Sequence, residues 1–430
     1  MRPWIHSLLA VLLTAAVVQA IGEEYEREPI SYRTTAPKDA IADLQKRLKA
    51  GTATLKHEDK FGYLRDLLRE LKVPVSSQML VYSKTSQQRD RIEPRRPRAL
   101  YFNDEVYVGY CQNGGFLEIG AVDPQLGAVF YTVDQTDADR ARFIRQTDGC
   151  LVCHGASTTL NVPGFVVRSV FPDREGFPIL ALGTKKITQA TPFADRWGGW
   201  YVTGTHGQQS HRGNLILKNE KATPEELANA AGQNVTRLDD RFATAEYLTG
   251  HSDLVALLVL EHQAEAHNHL TRANLLTRAA LYDEEQLNKA LKQPATNRWD
   301  STRSRIKSVA EPLVRYLLFC EEAKLEGKVA GTSGFAEEFA KRGPRDGAGR
   351  SLRDFDLEKR LFKYPCSYLI YSPSFDALPP DAKDYVWRRL WEVLSGQEQG
   401  KEFAHLSPDD RKNILAILKA TKPGLPDYWK

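Results

Sequence analysis

Residues 99–133 read ALYFNDEVYVGYCQNGGFLEIGAVDPQLGAVFYTV, and the class of the fold is decided there. Ala99–Phe102, Val106–Tyr110, Leu117–Val122 and Ala128–Val133 are runs rich in β-branched and aromatic residues, separated by Asn, Asp, Gly and Pro. Such side chains pack well on a pleated surface and the separators favour turns, so the spacing predicts four successive strands. Leu80–Tyr82 reads as another strand upstream. Downstream, Gly164–Phe171 and Phe177–Leu182 flank Asp173-Arg174-Glu175-Gly176, a link that predicts a hairpin. Trp197–Thr203 reads as one more strand, whereas Thr136–Thr147 is charged and without strand character.

From residue 221 the pattern becomes helical. Thr223-Pro224-Glu225-Glu226 joins a capping residue, a proline at the first helical position and a glutamate three residues after the cap. Ser407-Pro408-Asp409-Asp410 repeats that logic. Ser252–Leu281 is long and free of Gly and Pro, and further helices are expected over Arg305–Cys320 and Tyr385–Leu394. The expected class is α+β, a β-rich N-terminal half followed by a mainly helical C-terminal half. Its parts are an N-terminal segment 1–20, a polar helical lead-in 21–75, a β-rich region 76–220 and a helical region 221–430. Within the lead-in, Ala40–Leu48 is helical and Glu23–Lys60 has little obligatory core. Gly327–Arg350, with six glycines, is expected to be a flexible loop. No internal repeat is visible, and 430 residues with 42% hydrophobic content suffice for a large core.

Inside the β-rich region lies Cys150-Leu151-Val152-Cys153-His154. CxxCH is the spacing that attaches a c-type haem covalently. Two thiols separated by two residues reach one porphyrin edge, and the adjacent histidine supplies an axial ligand to the iron. Cys150 and Cys153 are therefore expected to anchor one haem c, with His154 as proximal ligand. A zinc half-site is one alternative, but Cys111, Cys320 and Cys366 form no second pair, which leaves only a mixed cysteine and histidine site open. A thioredoxin-like redox pair is the other, and it requires a CxxC opening a helix after a strand in a βαβ unit.

The N-terminus points the same way. Leu8–Val18 is apolar and Val18-Gln19-Ala20 offers small cleavage-site residues, a secretory pattern that predicts a periplasmic protein. The apolar run is about half of the roughly 20 residues that span a bilayer, so a membrane enters only if this segment stays as an uncleaved anchor. The three other cysteines allow one disulfide and demand none. A net charge of +4 is too weak to imply nucleic acid. Arg89, Arg91, Arg95, Arg96 and Arg98 crowd around Pro94 and Pro97, either as a solvated loop or as a clamp for haem propionates or an acidic partner.

The sixth iron ligand separates electron carriers from sites that bind small molecules. After the signal segment only Met79 remains as a methionine, at the start of a strand where a core role is expected. His262 and His269 fall on one face of the long helix with Leu254, Leu258 and Leu276, with Glu265 as a hydrogen-bond partner and His267 pointing elsewhere. His262 is thus a distal-ligand candidate, unless it is a core histidine satisfied by hydrogen bonds. His206 and His211, in the polar loop after Trp197–Thr203, are ligand or pocket candidates, or belong to an exposed loop. Trp197, Trp200 and Tyr201 either pack on the porphyrin or form plain core.

Leu80 to Ser86, Pro97 to Asp104, Cys150 to His154 and Arg196 to His206 resemble exported bacterial proteins described as cytochrome c domain-containing. The likeness runs over most of the chain, including Glu261-His262-Gln263 and Tyr364 to Tyr368. It implies haem binding, electron transfer and a redox partner protein, with no particular reaction. The chain departs from class I cytochromes c, which place the motif near the domain start and use a methionine ligand, and from di-haem peroxidases, which carry two motifs. The sequence thus points to an exported mono-haem c-type cytochrome. The alternatives are a haem enzyme acting on a small oxidant or substrate, with His206, His211 or Arg98 as pocket groups, and a haem-based redox or gas sensor.

Overall fold

Five of the expected strands pair in chain order in the computed structural model, which describes residues 24–429. The expected signal segment 1–20 lies outside the described residues. β1 (Met79–Val81), β2 (Arg98–Phe102), β3 (Val106–Tyr110), β4 (Phe116–Asp123), β5 (Gly127–Asp134) and β6 (Phe143–Gln146) form an antiparallel sheet of order 1-2-3-4-5-6. β4 and β5 pair without a break from Phe116↔Asp134 to Asp123↔Gly127. Asp123 closes their turn by accepting from the backbone N–H groups of Gln125 and Leu126 at 2.7 and 2.9 Å, and Gly127 takes the left-handed conformation at φ 79°.

β6 corrects the reading of Thr136–Thr147 as non-strand. It is the sheet's edge, paired only with β5 and nowhere fully buried, so its charges stay in water and its sequence lacks the usual apolar signal. The hairpin is displaced as well: β7 (Arg168–Val170) pairs with β8 (Thr184–Lys186), not with Phe177–Leu182. The Asp173–Gly176 turn forms as expected, with Asp173 N–H donating to Phe177 O at 2.9 Å, but Leu180–Leu182 beyond it is a 3-10 turn. Trp197–Thr203 is not a strand. Trp197 sits at φ 64°, and the segment makes only single bridges, Trp200 to Val81 and Thr203 to Asp253.

The lead-in contributes more core than its polarity suggests. Ile30, Tyr32, Ile41 and Leu44 are buried, and the Tyr32 hydroxyl donates to Ala128 O of β5 at 2.7 Å. The helix Ala40–Lys49 begins at Asp39, whose carboxylate accepts from Ile41 and Ala42 N–H.

The helical half is built on one helix of 37 residues, Leu254–Ala290, longer than expected at its C-terminal end. Every residue from Leu254 to Asn268 is buried, because the sheet, Asp300–Leu317 and Pro380–Leu394 pack around it. Over that stretch the helix has no outward face, which corrects the assignment of its histidines: His267 is buried, and His269, just beyond it, is partly exposed. Both capping boxes form, at Thr223 with Glu226 and at Ser407 with Asp410. Among the described residues no helix is long and apolar enough to cross a membrane.

Gly327–Arg350 is not a loose loop. It contains the helix Phe335–Lys341, whose Phe335 and Phe339 are fully buried. Its anchor is Asp253, the N-cap of the long helix. One carboxylate oxygen accepts from Val255 and Ala256 N–H, and the other from Thr332 N–H, Ser333 N–H and the Ser333 hydroxyl at 2.7 to 2.9 Å. A Cβ on Gly331 would stand 2.3 Å from that carboxylate, so the glycine permits the approach.

Candidate functional site

Cys150 starts a single helical turn, Leu151–His154, held by His154 N–H donating to Cys150 O at 2.9 Å. In a turn of helix, positions i, i+3 and i+4 share a face. Cys150, Cys153 and His154 accordingly line one cavity of about 390 Å³, and Leu151 and Val152 do not. Leu151 is buried at 7% exposure and Val152 stands in solvent at 76%.

The cavity floor is one face of the sheet. Alternate residues Arg98 and Leu100 of β2, Tyr107 and Gly109 of β3, Glu118 and Gly120 of β4, and Phe130 and Thr132 of β5 line it. Two glycines keep that face open. A Cβ on Gly109 would lie 2.4 Å from Arg98 Nη2, and one on Gly120 would lie 2.7 Å from Phe165 Cε1. Phe165 and Val167 form one wall, Trp200 another, and Leu260 and Ala264 bring in the long helix.

His154 is fixed in a defined tautomer. Its Nδ1 lies 3.0 Å from Gly164 O, and a carbonyl only accepts, so Nδ1 carries the proton and Nε2 keeps its lone pair. Burial holds the imidazole below its ordinary range, in the neutral form. A ligating histidine needs this arrangement, with one nitrogen donating to a carbonyl and the other free for a metal. The carbonyl is itself anchored. Gly164 N–H donates to His154 O at 2.8 Å, and the amide of Asn268, on the long helix, bonds both Phe165 N–H and Phe165 O at 2.8 Å. Phe130 packs against the imidazole with ring centroids 4.7 Å apart.

The polar end holds an ion pair. Arg98 Nη2 lies 2.7 Å from Glu118 Oε2, and the Ser86 hydroxyl donates to the same carboxylate at 2.9 and 3.0 Å. Gln87 Nε2 is 3.3 Å from Cys150 Sγ. Of the five clustered arginines only Arg98 lines this cavity. Burial pushes the Cys150 thiol up to about 11, with Glu118 adding to the shift, the reverse of the low-pKa nucleophile of a redox CxxC. The strand before the motif is antiparallel, so no βαβ unit precedes it. Among the described residues no three His, Cys, Asp or Glu side chains converge to hold a metal, and all five cysteines are free, with Cys111, Cys320 and Cys366 buried.

The distal candidates lie elsewhere. His262 is a core residue: Nδ1 bonds Gln189 Oε1 at 2.9 Å, Nε2 bonds Ser367 Oγ at 2.7 Å, and the ring stacks on Phe319 at 4.3 Å. Glu265, its expected partner, instead bonds Lys186 Nζ and Asn268 Nδ2. His206 and His211 are neither in the cavity nor exposed. Their buried rings lie 4.7 Å apart beside Phe193, and His206 Nε2 accepts from Asn234 N–H. Met79 is buried in β1 and does not reach the cavity. Of the aromatic trio, Trp200 lines the cavity, Trp197 donates its indole N–H to Glu261, and Tyr201 donates to Pro94 O at 2.8 Å. The sequence carries no local motif for Tyr107, Glu118, Gly164 and Asn268; the one signal for this cavity is the acid Glu118 and the glycines Gly109 and Gly120 interrupting apolar strands.

Compared with protein-family models, curated proteins and solved structures, the chain matches none.

Proposed function

We propose that this chain is an exported mono-haem c-type cytochrome that transfers electrons in the periplasm. Cys150 and Cys153 would hold haem c as thioethers, and His154 would be its proximal ligand. The observation that carries the reading is the partition of the pentapeptide: its three chemically competent side chains line one cavity and its two aliphatic ones do not. The fixed His154 tautomer supports it, as does a cavity volume within the roughly 300–1,000 Å³ typical of cofactor pockets. Haem would supply the one-electron couple. The protein's own residues exclude water with Leu100, Phe130, Phe165 and Trp200, and Arg98 offers a guanidinium to propionate carboxylates in exchange for Glu118.

One observation favours the second reading, a haem that binds a small oxidant or gas. Among the described residues, neither a second histidine nor a methionine lines the cavity. Two spectra on the protein expressed with a haem-maturation system decide the matter. A pyridine haemochrome assay is expected to report one covalent haem per chain, lost in Cys150→Ser/Cys153→Ser; no covalent haem would end the proposal. The ferrous spectrum is then recorded with and without carbon monoxide. A large shift selects the open-site reading, and an unmoved low-spin spectrum selects the pure electron carrier.

A further inference from the structure

Three of the molecule's arginines meet in a second pocket of about 440 Å³, lined by Pro94, Arg95, Arg174, Tyr201, Ile216 and Arg241. The arginines come from three separate segments, each pinned by its own backbone. Pro94 and Arg95 sit at the tip of a tight turn closed by reciprocal Glu93 and Arg96 hydrogen bonds at 2.9 and 3.3 Å. Arg174 sits in the Asp173–Gly176 turn, which docks through Lys84 N–H donating to Gly176 O at 2.9 Å. Gly176 is at φ 88°, and a Cβ there would stand 2.3 Å from Tyr82 O, so the turn lies tight against the chain. Arg241 reaches back to Asn214 O and Ala231 O at 3.4 and 3.0 Å, while its buried Nε has no hydrogen-bond partner.

The local carboxylates form no ion pair with these arginines. Among the described residues, none of the three arginines forms an ion pair. Glu93 is committed to Arg96 at 2.9 Å, Asp173 accepts from Glu175 and Phe177 N–H within its own turn, and Asp239 pairs with Arg237 at 2.9 Å. Asp240 is near enough to act on the Tyr201 hydroxyl yet pairs with none of them. Three arginines lining one pocket without an ion-pair partner give it excess positive charge, which an oxyanion offsets while accepting charge-assisted, bidentate hydrogen bonds. Pro94, Ile216 and the Tyr201 ring add an apolar floor, with the Tyr201 hydroxyl already donated to Pro94 O.

We propose that the pocket of Arg95, Arg174 and Arg241 is a binding site for a small oxyanion carrying two or more negative charges, a polycarboxylate or a phosphate compound. The inference is independent of haem attachment. Trp200 lines the CxxCH cavity while its neighbour Tyr201 lines this pocket, so the two sites lie on either side of one chain segment.

Calorimetric titration of the full mature protein tests it, with citrate and pyrophosphate as separate probes to tell carboxylate from phosphate recognition. Saturable one-site binding of either probe is expected. Arg95→Ala and Arg174→Ala, both at exposed positions, should each weaken it about tenfold. Arg241→Lys, which keeps the charge and loses the fork, should weaken it too. Arg237→Ala, which does not line the pocket and is paired with Asp239, should change it by less than about twofold. Failure of both probes to bind, equal binding by Arg95→Ala and Arg174→Ala, or binding only of poly-glutamate would overturn the proposal, the last in favour of an acidic protein partner.

Discussion

An imidazole with both nitrogens engaged in a dry core has no lone pair left to give, and His262 is in that state between Gln189 and Ser367. Its removal should therefore act on stability and not on the proposed haem site. His262→Ala is expected to cost about 3 kcal/mol through a lost ring and two stranded partners, read as a lower denaturation midpoint, with the visible spectrum of the loaded protein unchanged. The opposite pattern belongs to Asn268, which holds the peptide that holds His154. Asn268→Ala should cost about 2–3 kcal/mol by leaving Phe165 N–H and O unpaired, and it should also broaden or shift the haem spectrum; a spectrum identical to wild type would refute its positioning role. Residue identity alone did not separate these cases. That Cys150, Cys153 and His154 share one face was legible because the spacing is local to five residues, whereas the partners of His262 come from segments far away in the chain.

Elements were legible where each obeyed one environment. β2 to β5 alternate between a cavity face and a packed face, with turn residues between them, so sequence marks them almost to the residue. β6 escaped because an edge strand with one neighbour tolerates charge, and Trp197–Thr203 misled because aromatic residues that fill a core in an irregular segment look like a strand. The long helix was visible as a helix but its faces were not, since Leu254–Asn268 is buried all round and carries no amphipathic period. The glycine-rich segment was misjudged for a different reason: its order depends on Asp253, a single carboxylate that caps the helix and binds the segment as well. Asp253→Ala should therefore cost more than an ordinary cap, about 3 kcal/mol against about 1, and hydrogen exchange should show residues 331–341 losing protection. Loss confined to the first helical turn would contradict that linkage.

At the scale of the whole molecule, the buried histidines tie stability to pH. Burial pulls His211 and His262 down to about 3 and His267 to about 4. Each ordinarily titrates near 6.5, so between these values the unfolded chain binds more protons than the folded one, and stability falls as pH drops. The contribution is complete above about pH 6.5 and declines by up to about 1.4 kcal/mol per pH unit for each histidine on the way down. Urea midpoints measured from about pH 7.5 to about pH 5 should fall steadily, and a flat profile would show that these groups are not buried as neutral imidazoles.

The cavity also carries a consequence in time. Its floor is laid down by strands that precede the motif, but its last wall, Leu260 and Ala264, belongs to a helix that follows far later in the chain. On the proposed reading, a polypeptide delivered N-terminus first presents both thiols before that wall exists. Attachment would then precede enclosure, and the closing helix, with Asn268 locking the loop beside His154, would be the step that turns a tethered porphyrin into a finished site.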